Sequence, residues 1–178
     1  TGTAKAYGIT IQYNYFGLAP DGTTVLKNDG HNINLSNFTT NPVVRDNVIV
    51  GAGTSVAAYG IYVITTGADI KGNLIGITPS GVASPNRSGG IYLLNATDST
   101  IGGQTIADRN IISDNATSTA TAGIMLSGTT GVVIEGNYIG TDAGGTVRKP
   151  NGNGIVLNAN NTNTRIGGAL ASQRNIIS

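Results

Sequence analysis

Apolar residues in this chain recur at every second position in short runs, and no stretch keeps a helical spacing over two turns. The clearest runs share the form Gly-Ile-x-(Val/Leu): GIYV at Gly60, GIYL at Gly90, GIML at Gly123 and GIVL at Gly154. They are separated by 30, 33 and 31 residues. Weaker copies stand at Gly8 (GITI) and Asn32 (NINL). A period of two belongs to a strand with one buried face. Ile9 and Ile11, Ile33 and Leu35, Ile61 and Val63, Ile91 and Leu93, Ile124 and Leu126, and Ile155 and Leu157 are therefore expected to point inward.

Two further families interleave with these runs. Ile-x-x-Asn-x-(Ile/Phe)-Gly occurs as IQYNYFG (Ile11 to Gly17), IKGNLIG (Ile70 to Gly76) and IEGNYIG (Ile134 to Gly140). RNIIS occurs at Arg109 and at Arg174, with a looser copy, RDNVI, at Arg45. Asn14, Asn47, Asn73, Asn110, Asn137 and Asn175 thus recur about every thirty residues, and alternate copies are most alike. A unit of that length with two or three short strands cannot bury its own inner face. Stacked units can, because each strand pairs with its equivalent in the next. An antiparallel sandwich would instead show turns every 8–12 residues. The prediction is an all-β fold, a right-handed parallel β-helix (solenoid) of about six coils of roughly 30 residues, forming one domain over residues 1–178. The six asparagines are expected to form a structural ladder, in the left-handed region at sharp corners, bonded to neighbours above and below. RNIIS (Arg174 to Ser178) closes the chain inside a strand-like run. The chain is therefore expected to be a fragment of a longer repeat protein, and its open terminal coils to pair with another copy as a homo-oligomer or filament.

Composition narrows the chemistry. Charged residues are 11% of the chain, against a usual value of roughly 25%. The 27 glycines and about twenty asparagines suit a fold made of short strands and tight turns. With a net charge of +1 and scattered basic residues, there is no electrostatic footprint for nucleic acid. No apolar run approaches the ~20 residues of a membrane-spanning helix. Without cysteine, disulfides and thiolate metal sites are excluded.

The strings GNYIGTDAGGT, PNGNGI, IGG and RNIIS resemble the repeats of right-handed parallel β-helix proteins of the pectate-lyase-like superfamily. They are most similar to repeat regions of prokaryotic surface proteins, and the resemblance covers about Gly8 to Ser178. It implies an extracellular or cell-surface location and a structural or adhesive role. The alternative it implies is a polysaccharide-binding or polysaccharide-degrading domain, because the fold hosts lyases and hydrolases as well as inert stalks. Hydrolases of the superfamily resemble one another in a trio of Asp residues, a His-Gly pair and an Arg-x-Lys. Here the one histidine, His31, precedes Asn32, and Arg165-Ile166 precedes Gly167. Calcium-dependent lyases need clustered carboxylates. The nine acids here are eight isolated Asp and Glu135, the last at an expected exposed strand position. No catalytic residue, metal ligand set or cofactor is assigned.

The remaining candidates are surface features. Arg45, Arg109 and Arg174 recur every second coil and would align on one face, as a ladder for anionic sugars or as corner residues that cover the turn. Tyr62, Tyr92, Met125 and Val156 are expected to form an outward apolar stripe, with Ile64 and Leu94 alongside, suited to a partner or a polysaccharide. With Thr10, Asn34 and this stripe as the outward residues, no regular threonine array of the ice-binding kind is expected. Glycosylation sequons stand at Asn34, Asn37, Asn86, Asn95, Asn115 and Asn160.

Overall fold

The computed structural model of the chain describes residues 6–36, 39–54, 57–115 and 120–178. Each Gly-Ile-x-apolar run forms a strand, and the two Asn-centred families supply two more strands per turn. The result is a parallel β-solenoid of about five turns, with three stacked sheets and a two-stranded parallel sheet of Ala6–Tyr7 and Thr39–Thr40 beside them. Sheet A holds Ile33–Leu35, Tyr59–Val63, Gly89–Leu94, Ala122–Ser127 and Ile155–Leu157. Sheet B holds Thr10–Gln12, Val43–Arg45, Asp69–Lys71, Thr100–Gly102, Val133–Glu135 and Arg165–Ile166. Sheet C holds Tyr15–Phe16, Val48–Ile49, Leu74–Ile75, Ile111–Ile112, Tyr138–Ile139 and Ile176–Ile177. The chain visits A, B and C in turn and climbs one strand per circuit.

Register places like on like. Ile33, Ile61, Ile91, Ile124 and Ile155 stack in sheet A, and Leu35, Val63, Leu93, Leu126 and Leu157 form a second file beside them. Ile11, Val44, Ile70, Ile101, Ile134 and Ile166 stack in sheet B. Phe16, Ile49, Ile75, Ile112, Ile139 and Ile177 stack in sheet C. These files meet in one core, and its inner members, such as Ile70, Ile91 and Ile112, are fully buried. Each such side chain contributes about 1.5–3 kcal/mol by leaving water.

The invariant Gly of the Gly-Ile-x-apolar motif has a steric cause. A Cβ at Gly60 would lie 2.9 Å from the Asn86 amide nitrogen, and one at Gly90 would lie 2.6 Å from the Gly123 carbonyl oxygen. Both glycines lie near the start of their sheet A strands, and neither has room for a side chain. The likeness of alternate coils also has a cause. The coils containing Asn14, Asn73 and Asn137 carry a small hairpin after their sheet C strand, marked by the antiparallel bridges Leu18–Val25, Ile77–Ala83 and Thr141–Arg148. The coils containing Asn110 and Asn175 instead carry a 3-10 turn before the Asn, at Ile106–Asp108 and Ala171–Gln173. Each 3-10 turn lies against the corner of the coil before it: Gly72 N–H donates to the Asp108 carbonyl (3.0 Å) and Gly136 N–H to the Gln173 carbonyl (3.2 Å).

Three expectations are corrected. Sheets B and C hold six strands and sheet A five, so the described chain makes about five turns instead of six coils. The GITI run at Gly8 is not a sheet A copy: Thr10 and Ile11 lie in sheet B, on Val43 and Val44, so Ile9 does not stack on Ile33. The ladder asparagines are not left-handed. The positive φ falls on the preceding residue, at Tyr13 (57°), Asp46 (55°), Gly72 (69°) and Gly136 (71°).

Candidate functional site

The asparagine corner between sheets B and C is the most regular polar feature of the molecule. Asn14, Asn47, Asn73, Asn110, Asn137 and Asn175 form one continuous file. In each of the first five, the backbone N–H and the side-chain amide both donate to Oδ1 of the next asparagine. The backbone bonds are 2.9, 3.0, 3.0, 3.3 and 3.0 Å along the file. The amide bonds are 3.0, 3.1, 3.0, 2.9 and 3.1 Å. From Asn47 onward the amide also donates backward, to the carbonyls of Ile11, Val44, Ile70, Ile101 and Ile134. The file therefore has a direction, with donors toward the C-terminal end and acceptors toward the N-terminal end.

A second asparagine file was not expected. Asn86 donates to Asn115 Oδ1 (2.8 Å), and Asn115 donates through its backbone and its amide to Asn151 Oδ1 (3.0 and 3.1 Å). Asn32 joins it at the other end, donating to Asn86 Oδ1 at 3.2 Å. Asn86 and Asn115 are fully buried, so these two sequons are closed to glycosylation. Asn34, Asn95 and Asn160 are exposed, and Asn37 lies outside the described residues. A file of threonines also runs along the corner between sheets A and B: Thr40, Thr66, Thr97, Thr130 and Thr162. It lies outside the sheet A row on which the reading against an ice-binding array rests. The Thr97 hydroxyl donates to the Thr66 hydroxyl (3.0 Å), and those of Thr130 and Thr162 share a bond of 3.0 Å, so these groups already bond along the stack.

Tyr62, Tyr92, Met125 and Val156 lie in one outward row of sheet A, continued by Asn34; Thr10 does not belong to it. Two residues that sequence reading left out join the row. His31 stacks on Tyr62 with centroids 4.6 Å apart and planes 13° apart, and Tyr59 lies 4.9 Å from Tyr92. The Tyr59 N–H donates to His31 Nδ1 at 2.9 Å, and the Tyr59 hydroxyl sits 3.9 Å from Met125 Sδ. Burial lowers the pKa of His31 and raises those of Tyr59 and Tyr62, keeping all three neutral near pH 7. His31, Tyr59 and Tyr62 stack with their planes within 20° of one another, and Tyr92 is tilted by 44° and 46° against the two tyrosines.

The three arginines do not form one ladder. Arg45 ends a sheet B strand opposite Gln12 and Lys71, and its Nε donates to Asp46 at 2.7 Å. Arg109 and Arg174 stand one residue later relative to the Asn file, each just after a 3-10 turn. The Arg109 guanidinium lies 4.0 Å from the centroid of Tyr138 in the following coil, and its Nε donates to the Gly136 carbonyl at 3.2 Å. Arg174 is exposed beside the last coil. Glu135 is buried, not exposed: its carboxylate accepts from Arg165 (2.8 Å) and Gln173 (3.0 Å) of the next coil.

A cleft of about 390 Å³ opens beside the hairpins, lined by Lys27, Gly53, Thr54, Ala83, Pro85, Arg87 and Asp114. One oxygen of Asp114 is buried with no hydrogen-bond donor, and Lys149 Nζ stands 3.8 Å away. Burial raises the Asp114 pKa and outweighs the lysine. Among the described residues, no group of three or more His, Cys, Asp or Glu could hold a metal ion, and no helix is long and apolar enough to cross a membrane.

Comparison of the chain with family models, with curated proteins and with solved structures found no match.

Proposed function

We propose that the protein is a structural and adhesive module of an extracellular or cell-surface protein, a right-handed β-helix of the pectate-lyase-like kind that grows coil upon coil. One observation carries the reading: the chemically versatile side chains are engaged in joining one coil to the next. The Asn files, the Thr file, Glu135 with Arg165 and Gln173, and Arg109 with Tyr138 all bond along the stacking axis. A site that turns over substrate needs such groups free and convergent. A second reading, polysaccharide binding or degradation, is favoured by the cleft at Lys27, Arg87 and Asp114, where two cations border a carboxylate raised by burial. Incubating the chain with a panel of neutral and acidic polysaccharides separates the two, following both release of reducing or unsaturated ends and depletion from solution. The structural reading expects no release of ends. Release that is lost in Asp114→Asn would replace it with the second reading.

A further inference from the structure

An open turn at the corner between sheets A and B carries Asn95-Ala96-Thr97, the Asn-x-Thr acceptor pattern for N-linked sugars. It links the sheet A strand Gly89–Leu94 to the sheet B strand Thr100–Gly102. The turns before and after it along the stack are both described, at residues 64–68 and 128–132, so its exposure does not depend on either end of the chain. Asn95 has a φ of 52°, in the left-handed region that asparagine tolerates. Its backbone is fixed, with the N–H donating to the Ser127 carbonyl at 2.9 Å. Its side chain is exposed, and among the described residues the amide has no hydrogen-bond partner.

The next coil leaves that amide room. Gly128 holds the equivalent position, also left-handed at 65°. A Cβ there would lie 2.4 Å from Asn95 Oδ1. Thr97 belongs to the threonine file, and its hydroxyl donates to the Thr66 hydroxyl at 3.0 Å on the exposed edge of the corner. The other described sequons differ. Asn86 and Asn115 are buried, and their amides are engaged by the Ile49 and Ile75 carbonyls and by the second asparagine file. Asn34 lies inside the strand Ile33–Leu35, and the middle residue of its sequon, Leu35, belongs to the core. Asn160 repeats the left-handed backbone at 66°, two residues before Thr162, but in the last coil.

We propose that Asn95 is the acceptor of an N-linked oligosaccharide. The inference rests on the extracellular or cell-surface location in the reading above, where such sugars are found. The donor is an oligosaccharide carried on a lipid pyrophosphate. The Asn95 amide nitrogen bonds to the anomeric carbon, the bond from that carbon to the pyrophosphate oxygen breaks, and the lipid pyrophosphate leaves. The amide gives up one of its two protons to a base of the transferase, and nothing is oxidised or reduced. Exposure on a turn lets the amide reach such a reagent, which a buried file or a core strand does not.

The test incubates the purified, folded chain with a purified oligosaccharyltransferase and a lipid-linked oligosaccharide, and maps the sugars by peptide mass spectrometry. A peptide with the sequence of residues 92–100 is the control for the enzyme. The folded chain is expected to carry a sugar on Asn95 and none on Asn86 or Asn115. Thr97→Val should abolish the modification of Asn95 and Thr97→Ser should retain it, both with unchanged circular dichroism. A folded chain left bare at Asn95 while the peptide is modified overturns the inference and leaves the structural reading standing. So does a sugar on Asn86 or Asn115 of the folded chain, or full modification of Asn95 in Thr97→Val. Modification at Asn95 of a chain that also releases polysaccharide ends would keep the inference and replace the structural reading.

Discussion

Asn110→Ala should be among the most damaging single changes in the chain. The Asn110 side chain donates to the Ile70 carbonyl (2.8 Å) and to Asn137 Oδ1 (2.9 Å), and it accepts from the Asn73 backbone N–H and amide (3.0 Å each). Asn137 Oδ1 would keep a donor, the Asn110 backbone N–H. The Asn73 N–H would be left without a partner, whereas the Asn73 amide keeps the Val44 and Lys71 carbonyls (2.9 Å each). Asn73 and Asn110 are fully buried, so water does not replace what is lost. At about 1–3 kcal/mol for the stranded N–H and about 1 kcal/mol for each of the two bonds that the Asn110 amide donates, the loss is about 3–5 kcal/mol. Domains are stable by only about 5–15 kcal/mol in total. Asn175→Ala, at the half-buried last rung, should cost about 1 kcal/mol. Asn110→Asp sets a carboxylate oxygen against the Ile70 carbonyl and Asn137 Oδ1; it should be at least as damaging at pH 7 and recover partly in acid, when the protonated acid regains a donor. The assay is urea unfolding followed by circular dichroism. A loss under about 1 kcal/mol for Asn110→Ala, or one equal to that of Asn175→Ala, would refute the reasoning.

Other perturbations test single features. The Asp21 carboxylate accepts from the Thr24 hydroxyl and from the backbone N–H groups of Thr24 and Thr23, which lowers its pKa to about 2. A carbon-detected NMR titration should show this, and Thr24→Val should move the value up toward 3.8. His31 has its pKa lowered by burial, so its folded state resists protonation; stability should be full above pH 6.5 and fall as pH drops below it, with the Tyr59 amide shifting in step. A pH-independent melting temperature from 7.5 to the folded pKa would contradict that. Asp114 is the opposite case: its pKa is raised, so stability falls as pH rises through the window above 3.8, and Asp114→Asn should raise the melting temperature at pH 7 but not in strong acid.

The fold was legible in the sequence because stacking demands likeness. Ile61, Ile91, Ile124 and Ile155 recur at strand period in equivalent contexts, and the structure sets them one on another. The Asn14-to-Asn175 file was readable for the same reason. The second file was not, because Asn86 and Asn151 follow a proline after hairpins of unequal length, whereas Asn115 follows Ser113-Asp114 with no proline. Glu135 misled because its strand alternation assigns an outward side chain, whereas the 3-10 turn of the next coil folds over it. Arg45 was matched to Arg109 by letters, but one residue of offset places it on the strand instead of after a turn. His31 and Tyr59 joined the aromatic row through a turn whose geometry no periodicity reveals. Which surface meets a ligand remained illegible, since a row of outward tyrosines reads the same whether its rings face solvent or one another.

Disulfide trapping tests the parallel, one-rung register most directly, and the chain has no cysteine to interfere. Met125→Cys with Val156→Cys places the two sulfurs on adjacent rungs in register. Their Cα atoms then stand about 4.8 Å apart, within disulfide reach. Tyr92→Cys with Val156→Cys spans two rungs, about 9.6 Å, and lies beyond it. Under mild oxidation the first pair should close nearly completely as an intrachain bond, and the second should stay reduced. Closure of the second pair with the first left reduced would contradict the stacking order on which the whole account rests.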